Sequence, residues 1–240
     1  MLIQACVNGA QDAAAHRRLS TDEHHMAIEA ARAVAVGAAA IHVHPKDAAG
    51  RDSLDGADVA RWLTAVRAAC PGIPIGVTTG AWAAPDAESR IGALAGWTEL
   101  PDFASVNWHE DDADEVAALL LSRGVGVEAG IWNVEGADAW SRSAVRGDCV
   151  RVLVELPDMD VAMVRNEVED LIARITRIDQ RMPILLHGEE RSAWAAFDLA
   201  VERGLDSRIG LEDCLALPDG RIASGNAALV RAAVERVPVR

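Results

Sequence analysis

Short, largely apolar runs of three to six residues alternate along the chain with longer stretches of amphipathic spacing. Short apolar runs bounded by turn residues read as buried strands, and the 3.6-residue recurrence between them reads as helix. The strand segments fall at residues 2–7, 39–43, 73–77, 103–106, 126–129, 150–155, 183–186 and 209–211. Helical stretches follow each of them, at 20–37, 56–69, 88–94, 112–122, 137–146, 161–178, 191–203 and 226–237. Ser20 with Glu23 three positions on has the form of a capping box, and Gly37, Gly124 and Gly204 stand where helix C-caps favour glycine. Eight strand–helix units in 240 residues predict a single-domain α/β fold, a (β/α)8 TIM barrel spanning 1–240. An open doubly wound sheet is the alternative, but no Gly-x-Gly-x-x-Gly follows the first strand.

Composition narrows the partners. The net charge is −14, from 37 acidic and 23 basic residues, which speaks against a polyphosphate-backbone ligand. No apolar run approaches the ~18 residues of a membrane span, and the N-terminus reads as a strand rather than a signal peptide. A cytoplasmic location is the expectation. The four cysteines, Cys6, Cys70, Cys149 and Cys214, are scattered and read as reduced core residues. Cys214 lies beside a segment of interest. Seven tryptophans accompany two phenylalanines and no tyrosine. Trp82, Trp108 and Trp132 follow strands and are candidate pocket walls, whereas Trp62 and Trp194 sit in helices as core.

Barrel enzymes keep their chemistry at the carboxyl ends of the strands. There the chain places Asn8, His42 and His44, Thr78 and Thr79, Ser105 and Asn107, Glu128, Glu155, His187 and the pair Glu212–Asp213. Residues i and i+2 of a strand share a face, so His42 and His44 present two imidazoles side by side. Paired imidazoles are half of a divalent-metal site. Closure of a barrel brings its last strand against its first, so Glu212 can complete a two-His, one-carboxylate set with an open position. Glu212 also reads as an acid near a helix N-terminus. Asp213 is a candidate general base, or again a cap. Arg208 starts too early to reach the mouth unless a buried pair with Asp213 draws it in; a surface arginine is the alternative.

Thr78-Thr79-Gly80 offers hydroxyls and a glycine that admits backbone N–H groups to a carboxylate, or is a plain turn. Ser105 and Asn107 repeat that pattern. Lys46, beside Asp47, reads either as a contact to an anionic substrate or as a surface ion pair. His187 is either a further ligand or a structural histidine, and the structural reading is the one adopted.

The chain resembles the β-keto acid cleavage enzymes, of which the 3-keto-5-aminohexanoate cleavage enzyme is the named example. The resemblance lies in Val7-Asn8-Gly9-Ala10, in Ile41-His42-Val43-His44 with Asp47 and Gly50, and in Thr78-Thr79-Gly80. It continues through Ala104-Ser105-Val106-Asn107, Arg208-Ile209-Gly210-Leu211-Glu212-Asp213 and Ser224-Gly225-Asn226, in the family's order. It implies an oligomeric barrel with Zn held by His42, His44 and Glu212. It further implies a base at Asp213 supported by Arg208, and hydroxyl contacts to substrate from Thr78 and Ser105. The implied reaction is a retro-Claisen cleavage, in which a β-keto acid and acetyl-CoA give acetoacetate and a new acyl-CoA. Gln11 stands where the amino-keto-acid enzyme has a glutamate that meets an amine, which points away from a cationic substrate. Lys46 replaces a family arginine and loses its bidentate fork. The chain is also shorter than typical members. A metal-dependent lyase or hydrolase that does not use CoA, and a metal-binding barrel without catalysis, are the competing readings.

Overall fold

The computed structural model describes residues 1–238. Eight strands close into one parallel barrel in sequence order, so β1 lies between β2 and β8. They are β1 (Ile3–Cys6), β2 (Ala40–Val43), β3 (Ile75–Thr78), β4 (Phe103–Asn107), β5 (Gly126–Ile131), β6 (Arg151–Leu156), β7 (Ile184–Gly188) and β8 (Asp206–Ile209). Among the described residues eight α-helices surround them: α1 (Glu23–Val34), α2 (Gly56–Ala69), α3 (Ala87–Ala95), α4 (Ala113–Ser122), α5 (Val134–Arg142), α6 (Val161–Ile178), α7 (Ala193–Arg203) and α8 (Asn226–Arg236). The fold is the expected (β/α)8 barrel. Among the described residues no helix is long and apolar enough to cross a membrane.

Strands of such a barrel are covered on both faces, which is why they read as short unbroken apolar runs. The helices start where an acid or amide caps them: Asp55, Asp86, Asn133 and Asp160 each accept a backbone N–H of the first turn. The first helix differs from expectation. Asp22, not Ser20, is its cap, accepting from the His25 N–H at 2.7 Å. Helix α7 ends as the sequence suggests, with Gly204 in the left-handed region at φ 68°. All four cysteines are free and buried.

Two departures bear on the site. Strand β8 begins at Asp206, three residues before the sequence pattern suggests, because its first residues are polar and hide the apolar signal. Arg208 pairs with Gln4 of β1 and is therefore inside the strand. Glu128, expected at the mouth, lies lower: β5 runs on to Ile131, and Glu128 pairs with Arg151 at the start of β6. There it accepts from Arg151 Nε at 2.6 Å and from Gln4 Nε2 at 3.1 Å. This buried polar group closes the lower barrel and does not line the pocket above.

Candidate functional site

At the carboxyl end of the barrel a cavity of about 340 Å³ is lined by residues from all eight strand ends and the loops after them, His42, His44, Thr78, Ser105, Asn107, Trp132, Glu155, Glu189, Arg208 and Glu212 among them. The geometry starts with the strand pleat. His42 and His44 point to one face with ring centroids 5.2 Å apart. Backbone pairing of β1 with β2 and with β8 then brings the segment after β8 alongside them. Glu212 Oε1 lies 3.5 Å from His44 Nε2 and 3.9 Å from His42 Nε2. One donor atom from each of the three residues falls within 4.8 Å of the other two. The second oxygen of Glu212, Oε2, is buried and has no hydrogen-bond partner among the described residues. A buried carboxylate oxygen left without a donor is costly, and two imidazoles with a carboxylate form the donor set of a divalent cation, so these residues fit a metal.

Electrostatics distinguishes the ligand candidates. Burial opposes charge on all three. It drives His42 down to about 3 and holds it neutral. His44 resists the same burial because Glu212 and Asp52 face it, and it is pushed up to about 9. Against burial, Arg208 and then the two imidazoles keep the Glu212 carboxyl well below the usual carboxylate range.

Arg208 is drawn into the site, not left on the surface. Its Nη2 lies 3.0 Å from Glu212 Oε1, and its Nε donates to Asp213 Oδ1 at 3.1 Å. Asp213 is fully buried behind the cavity wall, and His187 Nδ1 lies 3.2 Å from the same Oδ1. Asp213 Oδ2 has no hydrogen-bond partner among the described residues. His187 is not gathered into the His42–His44–Glu212 cluster; it is held between Asp213 and Glu155, whose Oε2 is 3.2 Å from its Nε2. Burial opposes its charge and Arg208 adds to that, yet the two carboxylates push it up to about 9.

Of the hydroxyl-bearing turns, Thr78, Ser105 and Asn107 line the cavity. Thr79 does not. The pleat turns it outward, where its hydroxyl donates to the Ser105 carbonyl at 2.7 Å and faces Arg90. Gly80 serves the wall: a Cβ there would lie 2.1 Å from the Trp82 ring. Gln11 lines the cavity and donates to the Glu212 carbonyl at 3.1 Å. Lys46 is not a surface pair, and it lines a wider cleft beside this cavity, not the cavity itself. It is buried, with Nζ donating to the Gly9 carbonyl at 2.7 Å and to Asp52 Oδ1 at 2.5 Å. Trp82 and Trp132 wall the cavity as expected, but Trp108 packs in the core and donates to Asp114. Cys214 is buried with its thiol against the Ala216 carbonyl, away from the cavity. Two lining or supporting acids escaped the sequence reading. Asp52 lies eight residues beyond His44 in the same loop, a second acid after Asp47 with no spacing to single it out. Glu189 follows His187 directly and is pushed up to about 7 by burial and by Glu155.

The family model for beta-keto acid cleavage enzymes matches residues 1–238. The chain belongs to the β-keto acid cleavage enzyme family. Solved structures similar to this family member include ObcA in a ternary complex with a C4-CoA adduct and oxalate, at 17% identity and a TM-score of 0.72. A binary complex of ObcA with oxaloacetate matches at 18% identity and a TM-score of 0.70. In each case the match covers 91% of this β-keto acid cleavage enzyme family member and 63% of ObcA. Type I 3-dehydroquinate dehydratase from Clostridium difficile matches at 13% identity and a TM-score of 0.68, covering 98% of this chain and 91% of the other. At such identities these likenesses speak to the barrel alone. A comparison with curated proteins finds no match.

Proposed function

We propose that the protein cleaves the carbon–carbon bond of a β-keto acid and transfers the acyl part to CoA, with acetyl-CoA as co-substrate and acetoacetate as the second product. The observation that carries this reading is the convergence of His42, His44 and Glu212 at the mouth of a barrel whose sequence matches the family over nearly its whole length. Those three residues would hold the cation, and the donor set suits zinc. When bound, such a cation supplies Lewis-acid polarisation of a keto oxygen.

The remaining roles follow from the chain's own groups. Asp213 is assigned the base, acting from behind the cavity wall: Oδ1 is fixed by Arg208, which lines the cavity, and by His187, and Oδ2 has no hydrogen-bond partner among the described residues. Arg208 also holds Glu212 in place. Thr78, Ser105 and Asn107 meet the substrate's carboxylate from the wall facing them. A wider cleft of about 1070 Å³ adjoins the cavity, sharing Ala10, Gln11 and Trp82 with it, and has room for the bulk of a CoA thioester.

The test is a panel of β-keto acids incubated with and without acetyl-CoA, together with elemental analysis of the purified protein. Acetoacetate and a new acyl-CoA, formed only when both substrates are present, support the reading. Cleavage without CoA makes the protein a metal-dependent lyase or hydrolase. Metal content without turnover of any member makes it a binding barrel.

A further inference from the structure

The geometry assigns to Asp52 the positioning of the metal centre: this one carboxylate fixes the ring of His44, the buried Lys46 ammonium and the Trp82 wall. The inference rests on the metal reading above. Asp52 lies in the loop after β2 with its side chain only 7% exposed, and both of its oxygens are engaged. Oδ1 accepts from Lys46 Nζ at 2.5 Å. Oδ2 faces His44 Nδ1 at 3.2 Å and accepts from Trp82 Nε1 at 2.8 Å.

Each contact has a consequence at the site. A carboxylate on Nδ1 keeps the proton on that nitrogen, so Nε2, the atom facing Glu212, is the one that gives up its proton to become a ligand. His42 lacks such a partner, since its Nδ1 has no hydrogen bond among the described residues. The ring-orienting contact of the pair is therefore carried on the His44 side. The backbone there is already fixed, because Asn8 accepts from the His44 N–H at 2.9 Å and donates to its carbonyl at 2.8 Å. Lys46 extends the support across the barrel seam. Its second bond goes to the Gly9 carbonyl, and Gly9 packs so closely on Glu212 that a Cβ would lie 2.3 Å from Glu212 Cγ. Asp52 thus steadies His44 directly and the third ligand through Lys46 and Gly9. Trp82, half exposed and stacked near His44 at 6.1 Å, is pinned by the same oxygen at the border between cavity and cleft.

Asp52→Asn keeps the shape but sets an amide N–H against one of three donors. Co²⁺ serves as the probe, read by equilibrium affinity and by the visible absorption of the bound ion. The variant should bind Co²⁺ about 10- to 100-fold more weakly than wild type, with altered bands. Because that substitution also strands a buried ammonium, the double variant Lys46→Met/Asp52→Asn is measured beside it and should stay equally weak. Wild-type affinity and spectrum in Asp52→Asn overturn the assignment. Recovery of wild-type affinity in the double variant also overturns it, since Asp52 would then only neutralise Lys46. A wild-type chain that takes up no Co²⁺ overturns the metal reading and this assignment together.

Discussion

Glu212 and Asp213 are adjacent in the chain yet present their carboxylates to different imidazoles, Glu212 to His44 Nε2 at 3.5 Å and Asp213 to His187 Nδ1 at 3.2 Å. Arg208 bridges both, with Nη2 3.0 Å from Glu212 and 3.1 Å from Asp213. The two acids can therefore be separated by mutation. Asp213→Asn leaves the His42, His44 and Glu212 set untouched, so metal content should equal that of wild type. Turnover should fall by about 10²–10⁴, the range for loss of a general base. Elemental analysis and kcat measured on the same preparation check this. Full activity would remove Asp213 from the proton-transfer role.

Glu212→Gln and His42→Ala should instead lose the metal. Each removes one of three donors, and a two-ligand remainder holds a divalent ion far more weakly. Both metal content and turnover should drop together, and adding excess Zn²⁺ should restore only part of the activity. Chelation of the wild-type protein should reproduce the same loss and be reversed by metal. Activity that survives both chelation and His42→Ala would remove the site.

The fold was legible because local signals agree with one another. Helices α2 and α6 lie where the spacing puts them, since an aspartate cap and a continuous apolar stripe define both. The pair His42–His44 was legible for the same reason: a strand pleat needs no tertiary information. Arg208 was harder, because β8 opens with three polar residues, Asp206, Ser207 and Arg208, which leave no apolar run to mark the strand. Barrel closure made the meeting of Glu212 with His42 and His44 legible, but other contacts between distant segments could not be read. The Glu155–His187–Asp213 line joins β6, β7 and the loop after β8, and nothing in the spacing of those residues announces it. Asp52 was hidden in the same way, being one of two acids in a polar loop. Thr79 is one residue of pleat away from Thr78, and that single step takes its hydroxyl out of the cavity and into the packing around the barrel.

Glu189 predicts a pH signature. Burial and the neighbouring Glu155 raise its carboxyl from 4.5 to about 7. An acid whose folded value lies above its unfolded value carries no penalty while protonated in both states. The penalty grows as pH rises from the unfolded value through the folded one, so stability is lost between about pH 4.5 and pH 7. Glu189→Gln removes that cost. Its thermal midpoint should exceed that of wild type at pH 8 and match it near pH 4.5. A constant difference across that interval would show that Glu189 is not the group responsible.

Gly210 sits where the loop after β8 crosses the end of β1. A Cβ there would lie 1.9 Å from the Cys6 carbonyl oxygen and 2.5 Å from its carbon, so the clash is with backbone and not with a movable side chain. The same crossing brings the Glu212 N–H to that carbonyl at 3.2 Å, which fixes where the carboxylate starts. Gly210→Ala must push β8 away from β1 and should cost about 4 kcal/mol or more, at the far end of single-substitution effects. Metal affinity should fall as well in whatever fraction folds, because Glu212 moves with the loop. Gly92→Ala is the control. That glycine lies within α3 with open space where a Cβ would go, and the substitution should stabilise by about 0.5–1 kcal/mol. Urea unfolding of the two variants beside wild type reads both signs, and a Gly210→Ala protein as stable as wild type would refute the close approach.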